Sequence, residues 1–170
     1  VIVSLLPGAT EIVCALGLRE SLVGRSHECD FPPGVEALPV CSRPRLDPSA
    51  SAASIDGAVR SLVSQGLSVF EVDADQLQAL HPDAIVTQIQ CEVCAVSEDD
   101  VRTAVADWLD ARPKVISTNA SNMSGVFADI RRVGRMLGVS DAADELNAAL
   151  SERLDVLRLA AASVDERPSV

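Results

Sequence analysis

The chain opens on VIVSLL, residues 1–6, an apolar run broken at Pro7 and Gly8. A strand with one wet face alternates apolar and polar residues. A run apolar at nearly every position instead reads as a strand buried on both faces, and such strands belong to parallel sheets covered by helices. DAIVTQ (83–88) reads as a second buried strand, SLVGRS (21–26) and KVIST (114–118) as further strands, and LSVFEV (67–72) as a short extended piece.

Between these runs the apolar spacing becomes helical. ATEIVCALG puts Ile12, Val13 and Leu16 on one side, has Gly17 as its stop, and packs Cys14 as a small hydrophobe. A helix is expected from about Ile55 to Gln65, and another at DADQLQAL with Leu77 and Leu80 inward. Ser97 and Asp100 form a capping-box pattern ahead of Val101, Val105, Trp108 and Leu109. Val126, Ile130, Val133 and Leu137 mark a further helix stopped by Gly138. The last helix starts at Asp141 and carries the stripe Leu146, Leu150, Leu154 and Leu157. The Pro- and Ser-rich segment 42–54 reads as a surface excursion, and HECDFPPG (27–34) as a rigid loop. Strands alternating with helices define an α/β chain with a Rossmann-like parallel sheet sandwiched by helices. The expected division is a lobe over 1–140, a long helix over 141–164, and the start of a further strand over 165–170.

Composition narrows the function. With 170 residues and 48% hydrophobic content the chain can build a real core, but aromatics are only 2%, so Val, Leu, Ile and Ala must fill it. A net charge of −11 argues against nucleic acid and against an anionic membrane surface. No apolar run approaches the ~20 residues of a membrane-spanning helix, so no membrane insertion is expected. No charged leader precedes the first strand; a signal peptide is either absent or removed.

In an open parallel sheet, ligands meet the loops that leave the carboxyl ends of the strands. Those loops are 7–10, 26–30, 88–94 and 117–122. One holds His27, Glu28, Cys29 and Asp30; another holds Gln88, Gln90, Cys91, Glu92 and Cys94. No G-x-G-x-x-G follows the first strand, so a dinucleotide loop is missing. Nor does a nucleophile stand beside an obvious base, so catalysis is not expected.

His27, Cys29, Cys91 and Cys94 would offer zinc four ligands if their loops were neighbours, although the long gap between the halves fits no standard zinc spacing. A thiol-redox pair at Cys91 and Cys94 is the other sharp reading. Against it, the helix cap at Ser97 lies beyond both sulfurs, and Glu92 and Glu98 oppose a thiolate. A disulfide, or simple packing of the thiols, stays open beside these.

Taken in order, IVSLLPGATEIVCALG, LVGRSHECDFPP and ALHPDAIVTQ resemble the first lobe of the substrate-binding proteins of iron-siderophore and vitamin B12 importers. SHECD and CEVCAV are similar to the cobalamin-binding branch in particular. The resemblance implies a two-lobed periplasmic or extracytoplasmic protein joined by a long rigid helix, with a cytoplasmic location left open by the unseen signal. Its ligand would be a small molecule in the inter-lobe cleft: cobalamin, or a related chelate such as haem or a siderophore, with no cofactor required. By position, His27, Glu28, Cys29, Gln88, Cys91 and Cys94 would face the ligand, and Asp75 would dock on an ABC permease. Corrinoid pockets of the family offer aromatic rings; here Phe31 alone sits in a cleft loop. The alternative is a metal-binding or thiol-redox module built on His27, Cys29, Cys91 and Cys94.

Overall fold

The computed structural model describes residues 1–65, 67–89, 96–106 and 112–164. In chain order its elements are β1 (Ile2–Ser4), α1 (Pro7–Ala15), β2 (Leu22–Arg25), β3 (Ser42–Pro44), α2 (Ala52–Ser64) and β4 (Phe70–Val72). Then follow α3 (Ala74–Leu80), β5 (Ala84–Gln88), α4 (Glu98–Ala104), β6 (Lys114–Thr118), α5 (Met123–Leu137) and α6 (Ser140–Ala162).

The apolar runs become one parallel sheet in the order β2-β1-β5-β6. β1 is the hinge of the layout: Ile2 pairs with Leu22 on one side and with Ala84 on the other. Side chains alternate between the faces, and that alternation builds two cores. Ile2, Ala84, Val86 and Ile116 point to the face covered by α1, α5 and α6, where Val13, Ile130 and Val133 meet them. Val3 and Ile85 point the other way, onto Leu77 of α3 and onto Val101 and Val105 near α4. Cys41 is fully buried in this second core, and burial pushes its thiol pKa up to about 12.

Local signals placed most helices. The Ser97–Asp100 capping box is formed, each side chain accepting from the other residue's backbone N–H at 3.1 Å. Gly138 takes the left-handed conformation at the end of α5 (φ 80°), which glycine adopts without steric cost. Trp108 and Leu109 lie outside the described residues.

Two features differ from expectation. Segment 42–54 is not wholly an excursion: Ser42, Arg43 and Pro44 pair antiparallel with Val72, Glu71 and Phe70 as a separate small sheet. Three residues with Pro and Arg give no β-branched alternation, so only the distant partner reveals the strand. The stripe on α6 is also covered unevenly. Leu146 and Leu150 pack on the core, whereas Leu157 is 63% exposed, beside exposed Val156 and Leu159.

α5 and α6 approach closely at Gly134. A Cβ there would lie 2.5 Å from the Ala143 Cβ and 3.2 Å from the Val139 carbonyl oxygen. Gly134→Ala should therefore destabilise the chain by about 1–3 kcal/mol through overpacking, outweighing a helix-propensity gain of about 1 kcal/mol. Urea unfolding checks this; an unchanged or higher midpoint would contradict it.

Candidate functional site

Because β1 bonds to β2 on one side and β5 on the other, the chain reverses direction across the sheet at β1. The loops after β1 and β5 part there and leave a crevice at the carboxyl ends of the strands. Buried polar side chains gather at this end: Ser4, Ser26, Thr87, Ser117 and Thr118.

A groove of about 680 Å³ opens from this end and runs between α1 on one side and α5 with α6 on the other. Ile12, Val126, Leu146 and Leu150 give it apolar walls, Phe31 and Pro32 close one side, and Gln88 and Thr118 stand at the sheet end. Asp129 is a buried carboxylate on its wall; its Oδ2 accepts from the Asn119 N–H at 2.8 Å and so pins the loop after β6. Three large apolar side chains stay exposed in or just after loops at this end: Phe31, Ile89 and Met123.

The loop after β2 is held from beneath. Thr10 Oγ1 lies 2.9 Å from Ser4 Oγ and 3.0 Å from Cys29 Sγ, all three buried. Ser4 passes the chain on to the Leu6 carbonyl at 3.2 Å. This line of hydroxyl and thiol ties β1, α1 and the loop together, and burial raises the Cys29 thiol pKa.

The residues expected at the cleft separate into different places. Gln88 ends β5 and lines the groove. Glu28 is exposed on the loop. Cys29, expected to face ligand or a metal, is 1% exposed and turned onto Thr10. His27 is half-buried and turned toward the small sheet: its Nδ1 is 2.9 Å from Ser42 Oγ and its ring centroid 5.1 Å from that of Phe70. Asp75 is exposed in the first turn of α3. Cys91 and Cys94 lie outside the described residues. Among the described residues no group of three His, Cys, Asp or Glu side chains could hold a metal ion. Burial also raises the pKa of Cys14, so the three described thiols, all free, are protonated and poorly reactive at neutral pH.

Sequence reasoning missed the helical walls. Ile12, Val126, Leu146 and Leu150 were legible as apolar stripes, but a stripe facing a groove and a stripe facing a core have the same period. Asp129 gave no signal beyond being an acid in a helix.

The described residues form an α/β unit whose parallel sheet carries an apolar groove and polar loops at its switch point, the kind of place where open α/β sheets receive ligands. Residues 2–170 match the periplasmic binding protein family. The chain belongs to that family, whose members are solute-binding proteins and not enzymes. It is similar in fold to three solved structures. The periplasmic heme-binding protein RhuT from Roseiflexus sp. RS-1 is 22% identical, with TM-score 0.68, over 98% of this chain and 52% of that one. The periplasmic heme-binding protein HutB of Vibrio cholerae is 20% identical, with TM-score 0.65, over 99% and 51%. The periplasmic vitamin B12 binding protein BtuF of Vibrio cholerae is 18% identical, with TM-score 0.62, over 95% and 51%. This chain thus spans about half the length of the solved structures it matches. No curated protein matches it.

Two outcomes follow from the loop's supports. Thr10→Val keeps the shape but removes the hydroxyl that bridges Ser4 Oγ and Cys29 Sγ, so the loss of two buried hydrogen bonds should cost about 1–3 kcal/mol in urea unfolding; no loss would show that the node carries no weight. Burial holds the His27 pKa below its ordinary 6.5, partly offset by Glu28 and reinforced by Arg25. As pH falls below about 6.5 the unfolded chain takes up this proton before the folded one does. His27 therefore contributes stability that is intact above that pH and is lost as pH falls toward the lower folded value. The pH dependence of the urea midpoint should become shallower in His27→Asn; an identical profile would contradict the assignment.

Proposed function

We propose that this chain captures a metal chelate, namely cobalamin, haem or a related siderophore complex, for an ABC importer in the periplasm. The single observation that carries the reading is the apolar groove opening at the switch point, with Phe31, Ile89 and Met123 exposed at the same end of the sheet. A flat macrocycle offers a large apolar face, and burying it against such side chains supplies most of the attraction. Relatives in fold include vitamin B12-binding, heme-binding and siderophore-binding proteins, which supports the ligand class without choosing among its members.

In this reading residues 1–140 form one lobe, the helix expected over 141–164 joins it to a second lobe, and 165–170 begin that lobe. The roughly doubled length of the fold relatives and the exposed Val156, Leu157 and Leu159 on α6 support this division. Gln88, Glu28 and Phe31 would contact ligand, with Cys29 supporting the loop from below. Any metal bond from His27 would have to come from Nε2, since Nδ1 is engaged with Ser42. Cys91 and Cys94 follow Gln88 in sequence and enter on that ground alone. Asp75, exposed at the start of α3, is the acid assigned to permease docking.

Absorbance titration with hemin and with cyanocobalamin tests the reading. At least one should show a saturable spectral change, and Phe31→Ala should weaken it by about 0.5–1.5 kcal/mol. If neither chromophore nor a ferric siderophore complex binds this chain or a longer parent containing it, the reading fails.

A further inference from the structure

The loop that carries His27 to Pro32 is longer than the part facing the groove, and it closes on itself. Arg25 and Val40 form a parallel bridge at its neck, with the Arg25 N–H donating to the Pro39 carbonyl at 3.0 Å and the Cys41 N–H to the Arg25 carbonyl at 2.8 Å. Residues 26–39 therefore leave and re-enter at one point, as a compact Ω-loop does, and Val35 fills the interior with no exposed surface.

The Arg25 side chain turns back under this loop. Its Nη1 donates to the Ser26 carbonyl at 3.0 Å and, at 3.4 Å, to that of His27; its Nη2 donates to the Glu36 carbonyl at 2.9 Å. One guanidinium thus fastens the outgoing and the returning arm together. Its Nε is buried and has no hydrogen-bond partner among the described residues. A buried orphan donor is unfavourable, and a side chain tolerates it where its remaining donors are well used. None of the three carbonyls belongs to an ion pair, so charge alone does not explain the placement. What matters is a planar fork with donors aimed in two directions.

We infer that Arg25 is a positioning residue for the ligand wall: it keeps the loop bearing Glu28 and Phe31 in its binding shape before ligand arrives. This rests on the chelate-binding reading for its consequence, though not for its geometry. A preformed wall lowers the ordering cost of capture. Lysine keeps the charge but has a single nitrogen, which cannot span both arms.

The test compares wild type with Arg25→Lys in the full chain. Amide exchange at 27–36 should rise about ten-fold in the variant, while the amides of β1 and β5 stay unchanged. The affinity for whichever of hemin or cyanocobalamin binds wild type should fall several-fold. Unchanged exchange in the loop would overturn the inference. So would a rise shared equally by the central sheet, which marks a merely structural role, or a loosened loop with unaltered affinity. If wild type binds neither probe, the function reading loses both macrocycles, and the local exchange result still decides whether Arg25 holds the loop. If the lysine variant does not fold, NMR of the wild-type guanidinium decides: hindered, separately resolved Nη hydrogens support the inference, and freely averaged ones overturn it.

Discussion

Three residues at the start of the chain set the layout of the rest. Ile2, Val3 and Ser4 bond to β2 on one side and to β5 on the other, and their side chains feed both cores. A strand in that position must be apolar on both faces, and Ile2 and Val3 meet the requirement. The polar exception is Ser4 at the carboxyl end, and its hydroxyl begins the buried line through Thr10 to Cys29. The central strand therefore does two things: it divides the sheet, and it anchors the loop beside the crevice that this division opens.

The site follows from that division by simple geometry. Parallel strands send all their exits to one end, so the loops after β1, β2, β5 and β6 gather there without any local instruction to do so. The helices that return each strand stand on the two faces. On one face α1 and the α5–α6 pair stand apart far enough to leave a groove. α5 and α6 can lie close because Gly134 removes a Cβ from their contact with Ala143. Local contacts then fix the loops: Asp129 accepts a hydrogen bond from the turn after β6, while a hydrogen bond to Ser42 and a ring contact with Phe70 hold His27 against the small sheet. A binder of this sort needs shape and a stable rim more than activated groups, and the raised thiol pKa values at Cys14, Cys29 and Cys41 agree with that.

The fold was legible where the signal was local. Apolar runs marked β1 and β5, Ser97 with Asp100 marked the cap of α4, and Gly138 marked the end of α5. The strand at Ser42–Pro44 was not legible, because its partner lies beyond α2 and its residues favour no pleat. The site divided along the same line. Position in a loop after a strand could be read, and Gln88 indeed stands at the groove. Direction within a loop could not: His27 and Cys29 are two residues apart, yet one turns to Phe70 and the other to Thr10. Whether a helix stripe faces a core or a groove depends on the distance to the next helix, which no single stripe encodes.

The claim on which the whole account turns is that ligand binds at the carboxyl end of the parallel sheet. Chemical-shift mapping of the labelled chain with hemin or cyanocobalamin tests it most directly. The account predicts perturbations clustered at 6–9, 26–32, 88–89 and 118–123. Perturbations concentrated at the opposite end, around 17–21 and 81–83, would contradict it.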